Sequence, residues 1–164
     1  LRPWYRENVD PSFTKKRQAI VGLLHEEEKL MEIVKLIGSD VLPDEQKLVI
    51  EICRDIRVGF LQQNAFHKDD TFVSLEKQLK MMEVILYLYD KVKGLVMKGT
   101  PISSVLETGL FDKIVKMKYD IPGDKLELFD DYKLDIELEL AKVYVPETHE
   151  GPGAQAPQKG DDLS

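Results

Sequence analysis

Between Phe60 and Phe66 the chain reads Phe-Leu-Gln-Gln-Asn-Ala-Phe, two aromatics around a run of neutral amides. Gln62, Gln63 and Asn64 can each donate and accept hydrogen bonds, and Ala65 is small enough to let a ligand approach the backbone. Amides beside an aromatic face suit a purine ring, which is stacked on its face and hydrogen-bonded along its edge. The plainer reading is a structural loop whose amides cap helix ends. Residue types alone leave both open.

Three other constellations could carry chemistry. His67 with Asp69 and Asp70 offers one nitrogen and two oxygens on one loop, but no fourth ligand is near in sequence, so no metal is expected there. His25 falls on a helix face and His149 in the terminal segment. The single cysteine, Cys53, lies on an apolar stripe with no histidine partner, and is expected to be a small core residue rather than a nucleophile. Glu26-Glu27-Glu28 is read as a solvated helix face. The phosphate-cradling Gly-x-x-x-x-Gly-Lys-[Ser/Thr], the dinucleotide Gly-x-Gly-x-x-Gly, Cys-x-x-Cys and Gly-x-Ser-x-Gly are all missing from the sequence.

Composition narrows the class. The 164 residues are 43% apolar and 32% charged, enough for one domain with a real core. The net charge is −7, of which −3 lies in the last nineteen residues, so the basic face that nucleic acid demands is not expected. One cysteine excludes an intramolecular disulfide and fits a reducing, cytoplasmic setting. No apolar run approaches the ~20 residues that cross a bilayer, so membrane insertion is not expected. A chain that begins with Leu1 rather than Met is expected to be a fragment.

The elements that must position these residues are helical. Asp10-Pro11 is an N-cap followed by proline at the first helical position, and Ile20, Leu23/Leu24, Leu30/Met31, Val34 and Ile37 recur at helical spacing up to Gly38. Such a helix spans roughly 40 Å. After a short acidic turn, Pro43-Asp44-Glu45 opens a second helix with Leu48/Val49, Ile52/Cys53, Ile56 and Phe60 on its stripe. Ser74 caps a third, with Leu75, Leu79, Met82, Leu86, Tyr89 and Val96 widened by Ile85, Val92 and Leu95, a stripe expected to be buried on two sides. Thr100-Pro101 caps a shorter helix that Gly109 breaks, Phe111 to Met117 adds a turn or two, and a last helix after Pro122-Gly123 carries Leu126, Phe129, Ile136, Leu140 and Val143. The expectation is an all-α bundle of five to six helices with a long amphipathic hairpin on its N-terminal side, over residues 1–145. Residues 146–164, rich in Pro and Gly, are expected to be disordered, a natural tail or a remnant added for expression.

In order along the chain, Trp4, Asn8-Val9-Asp10-Pro11, Glu32-Ile33-Val34-Lys35-Leu36-Ile37-Gly38-Ser39-Asp40-Val41-Leu42-Pro43, Phe60-Leu61-Gln62-Gln63-Asn64-Ala65-Phe66, Asp70-Thr71-Phe72, Glu76-Lys77-Gln78 and Tyr87-x-Tyr89-Asp90 resemble the carboxy-terminal helical domain of the catalytic A subunit of V/A-type (vacuolar and archaeal) ATPases. The resemblance covers about Trp4 to Tyr119 and is loose beyond. Val73 stands where many members have cysteine, and Ser74-Leu75 where many have prolines.

The resemblance implies that the chain is part of the catalytic subunit of a rotary, proton-translocating ATPase or ATP synthase. ATP or ADP with Mg²⁺ would then be held by an upstream nucleotide-binding domain, and none would bind this chain tightly or be hydrolysed by it alone. Gln63, Asn64, Ala65 and Phe66 would close over the adenine ring. The turn Gly38, Ser39, Asp40, Val41, Leu42, Pro43, Asp44 and Glu45 would be the lever tip against the central stalk. Implied partners are the upstream domain, the B subunit of the hexamer and the D subunit of the central stalk, in a cytoplasmic sector peripheral to the membrane. The alternative is an autonomous helical module that binds partner helices.

Overall fold

The computed structural model describes residues 11–61, 75–122 and 124–144. Helix α1 runs Pro11–Ile37, a 3₁₀ turn Ser39–Val41 follows, and α2 runs Asp44–Ile56 before passing into a π turn, Arg57–Leu61. Then come α3 (Leu75–Met97), α4 (Ile102–Leu106), α5 (Leu110–Val115), α6 (Met117–Asp120) and α7 (Leu128–Val143). Among the described residues there is no strand, and the fold is the all-α bundle the sequence predicts. Lys116 alone separates α5 from α6, so counting them as one interrupted element gives six helices. The expected caps Asp10 and Ser74, the loop expected over 62–70 and the 146–164 tail lie outside the described residues.

The turn after α1 forms as its residues dictate. Gly38 takes φ +87, a left-handed conformation that side chains rarely adopt, and its N–H closes on Val34 O at 2.9 Å. The chain reverses and α2 returns along α1.

Helix α2 is the centre of the bundle, packed by α1, α3, α4 and α5. Leu48, Val49, Ile52, Cys53 and Ile56 are all buried, and even Asp55 is shut away from solvent. On α3 the deepest side chains are Met81, Val84, Ile85, Leu88 and Val92, each 0–1% exposed. The predicted line is rotated from this one. Leu79, Leu86, Tyr89, Leu95 and Val96 are only half-buried, while Met81, Val84 and Leu88 fall outside the expected stripe. The run Met81-Met82-Glu83-Val84-Ile85-Leu86-Tyr87-Leu88-Tyr89 is apolar at all but one position, so its own period does not set its phase. The neighbours α1, α2 and α7, packed around it, do. Tyr87, half-buried, keeps its polar end outward: it donates to the Glu137 carboxylate on α7, with Lys91 and Lys133 over its ring.

Two further expectations change. Ile37, read as part of the apolar stripe, is 61% exposed because the chain turns away there and α2 starts too late to cover it. Thr100 makes no cap for α4; its hydroxyl is buried without a hydrogen-bond partner among the described residues. The cap comes from across the bundle, where Asp44 Oδ2 accepts the Ile102 N–H at 2.9 Å. Near the other end of α3, buried Lys77 donates from Nζ to Ile121 O at 2.7 Å and so ties α3 to the end of α6.

The rotated phase is testable by denaturant unfolding of the chain. Leu88→Ala, at a fully buried position, is expected to cost about 2–5 kcal/mol. Leu86→Ala, at a half-buried one, should cost roughly 1 kcal/mol. Equal costs would contradict the packing described.

Candidate functional site

Chemistry-bearing residues gather at the two ends of the α1–α2 hairpin. At its tip, Gly38, Ser39, Asp40, Val41, Pro43 and Glu45 are exposed, Leu42 turns inward at 6% exposure, and Asp44 is spent on capping α4. The eight residues singled out by sequence are therefore not equivalent. Asp40 projects from the 3₁₀ turn, while Glu45 lies 3.7 Å from Lys93 on α3. An exposed pair of that kind contributes under about 1 kcal/mol. Sequence reasoning missed the apolar part of the tip. Leu36 is 83% exposed, Ile37 61% and Val41 57%, so three large apolar side chains stand exposed in the six residues that end with Val41. The signal is in the sequence: apolar residues continue to the helix end, past the point where the returning chain can cover them.

At the other end, α2 meets the π turn. Cys53 Sγ donates to Leu23 O at 3.2 Å, and burial pushes its thiol up to about 12, with Glu27 adding to the shift and Arg57 opposing it. The cysteine is a core residue, as its place on the stripe predicts. One turn on, Arg57 grips Glu27 with two parallel bonds, Nη1 to Oε2 and Nη2 to Oε1, each 2.5 Å. Glu27 is thereby buried, which corrects the reading of Glu26-Glu27-Glu28 as wholly solvated; its neighbours Glu26 and Glu28 are exposed. The helical period decides this, since Glu27 sits between Leu23 and Leu30 on the inward face. Glu27, Glu28, Lys29, Met31, Glu32 and Arg57 line a shallow open depression of mixed charge.

Asp55 lies between these two rungs in sequence, on the α5 side. It is 1% exposed, and neither carboxylate oxygen has a hydrogen-bond partner among the described residues. Burial pushes its carboxyl up to about 8; Arg54 opposes, and Glu51 and Asp112 add to the rise.

Gln63, Asn64, Ala65 and Phe66, and the candidate metal trio His67, Asp69 and Asp70, lie outside the described residues. What is described is the turn from which that segment departs, Arg57–Leu61. Among the described residues no group of three or more His, Cys, Asp or Glu side chains could hold a metal, and no helix is long and apolar enough to cross a membrane.

Residues 2–106 match the family described as the C-terminal domain of V and A type ATP synthase. The chain is 46% identical over 137 residues to the V-type ATP synthase alpha chain of Halothermothrix orenii, covering 84% of this chain and 23% of that protein. It is 46% identical over 126 residues to V-type ATP synthase alpha chain 2 of Clostridium tetani, covering 77% of this chain and 21% of that protein. It is also 39% identical over 130 residues to the V-type ATP synthase alpha chain of Clostridium botulinum, covering 79% of this chain and 22% of that protein. The chain thus spans under a quarter of the length of these curated relatives.

The buried carboxyl generates a pH prediction. Asp55 holds its proton to about 8 when folded but releases it near 3.8 when unfolded, so between those values the folded chain carries the extra proton. Stability should therefore fall as pH rises from about 4 to about 8 and level off above. Asp55→Asn should flatten this decline, whose slope is at most about 1.4 kcal/mol per pH unit. Melting temperatures across this range check it; an unchanged slope would contradict the assignment.

Proposed function

This chain belongs to the family of C-terminal domains of V- and A-type ATP synthases, and from that membership we propose that it is the force-transmitting end of a rotary catalytic subunit. In this proposal ATP or ADP with Mg²⁺ sits in an upstream domain of the same subunit, Gln63, Asn64, Ala65 and Phe66 close over the adenine ring, and the hairpin tip bears on the D subunit of the central stalk. The B subunit is the neighbour in the hexamer, and ATP turnover is coupled to ion movement. The assembly lies on the cytoplasmic side, peripheral to the membrane. This chain alone, without a phosphate-cradling loop, does not hydrolyse ATP.

The observation that carries the proposal is the tip. Leu36, Ile37 and Val41 are large, apolar and exposed, at the end of a 27-residue helix backed by a fully packed partner. Exposed large apolar side chains on a rigid support suit a contact that must press and release. Interdigitated helices convey displacement because their packing is not continuously deformable. Asp40 in the turn would set register against a basic stalk surface more than it grips.

The expected result is specific to the tip. In the assembled full-length enzyme, Leu36→Ser with Val41→Ser should lower ion movement per ATP severalfold, as removal of interface anchors worth about 1–2 kcal/mol each would. The stability of the domain should stay within about 0.5 kcal/mol of the parent, since both side chains are exposed. Unchanged coupling would overturn the lever. Asp44 is the internal contrast: Asp44→Ala loses the α4 cap and should cost about 0.5–2 kcal/mol of stability.

The adenine wall has its own test. Stacking is worth on the order of 1–3 kcal/mol per base. Phe66→Ala in the full enzyme should raise the apparent KM for ATP roughly tenfold, at about 1.4 kcal/mol per decade, with a smaller effect on kcat. An unchanged KM would return the loop to a structural role.

A further inference from the structure

Glu27 and Arg57 form an unusual junction. A carboxylate with only 8% of its side chain exposed stands in the middle of a helix whose flanking acids face water. Burying it is costly unless its lone pairs are answered in good geometry. Arg57 answers both oxygens at once, and its hydrogen bond to Glu27 holds the guanidinium above its ordinary range. The place of this fork along the chain matters more than its strength. Arg57 is the first residue of the π turn, where the backbone leaves the α-helical hydrogen-bond register of α2. Single π turns inside helices are rare, and they persist where the surroundings hold them.

A second rung lies one helical turn earlier, the bond from Cys53 Sγ to Leu23 O at 3.2 Å. Leu23 and Glu27 on α1 are four residues apart and share a face, as do Cys53 near the end of α2 and Arg57 at the start of the π turn. The two rungs fasten α2 to the middle of α1 immediately before the chain departs toward Gln62. Ile20, Leu23, Leu30, Ile52 and Ile56 belong to one buried cluster, so the fork adds to an interface that also has apolar packing.

We propose that the Glu27–Arg57 fork is a positioning pair for the nucleotide: it pins the π turn Arg57–Leu61 to α1, and so fixes where the segment carrying Gln63 to Phe66 leaves the bundle. The inference rests on the adenine-wall reading of that segment. It gives the lever helix a direct mechanical connection to the base pocket. Glu27 of the fork and Leu36 and Ile37 of the tip then lie on one helix, α1, so a displacement of the pocket wall and a displacement of the tip are coupled through it.

The fork geometry supplies the discriminating variant. Arg57→Lys keeps the charge but cannot make two parallel bonds. In the full-length subunit within its enzyme, Arg57→Lys should raise the apparent KM for ATP roughly tenfold with kcat little changed, because a displacement of about 1 Å in a positioning element is enough. Amide exchange of residues 57–61 in the nucleotide-free enzyme should speed up by a similar factor, as local opening becomes easier. Lys113→Gln is the control. It removes an equally short but more exposed ion pair, 2.5 Å to Asp135, between α5 and α7, and should change neither readout.

If Arg57→Lys leaves KM unchanged while Phe66→Ala raises it, the fork has no positioning role and the adenine wall stands. If neither variant changes KM, the adenine wall falls and the inference with it. An equal rise in Lys113→Gln would mean general loosening and would overturn the inference. Glu27→Asp, which keeps both charges but shortens the reach, carries the same expectations and decides the matter where Arg57→Lys does not assemble.

Discussion

The architecture depends on α2 having almost no side free. A thirteen-residue helix is marginal by itself in water. Here it is stable because α1, α3, α4 and α5 cover it, and its apolar residues at 48, 49, 52, 53 and 56 lie at 0–1% exposure. Everything else follows from that burial. The chain must reverse tightly at Gly38 for α2 to lie along α1, the long α1 is stiffened over the stretch that α2 covers, and its last residues are left overhanging as an apolar tip. The same burial makes charged groups on α2 consequential. One that faces inward must find a partner or lose its charge.

The two inward acids of the hairpin meet that demand in opposite ways. Glu27 has both carboxylate oxygens answered by the guanidinium of Arg57. Asp55 has no hydrogen-bond partner among the described residues, and burial pushes its carboxyl up until it is mostly neutral at pH 7. The first tightens the junction of α2 with its π turn. The second leaves a proton-dependent weakness on the side toward α5. Asp44 shows a third use of an acid, as the cap of a short helix distant in sequence, holding α4 to the start of α2.

The fold was largely legible from sequence because its punctuation is strong. Pro11 and Gly38 bound α1 at both ends, Pro43 and the acids after it open α2, and Gly109 separates α4 from α5. Three things were not legible, for distinct reasons. The phase of α3 is hidden by an apolar run without a polar face of its own. The inward turn of Glu27 is hidden by its flanking acids, although its spacing between Leu23 and Leu30 gives it away. The capping of Ile102 by Asp44 joins residues 58 apart, and no local pattern announces such a bond. At the tip, the acidic turn is recognisable from sequence, but much of its exposed surface is apolar, from Leu36, Ile37 and Val41. Helical periodicity assigns Ile37 to the core, because periodicity alone does not tell where a partner helix stops.

In the proposed mechanism α1, α2 and the turn after α2 move as one body between a nucleotide wall and a stalk contact. The most direct measurement is the structure of the full-length subunit in its assembled complex, compared between nucleotide-filled and nucleotide-free states. Residues 11–61 should superpose within about 1 Å across the states, with the Glu27–Arg57 fork intact and the Gly38–Glu45 tip displaced in step with the 57–61 turn. A hairpin that bends between those two ends, or a tip that swings while the 57–61 turn stays fixed, would contradict it.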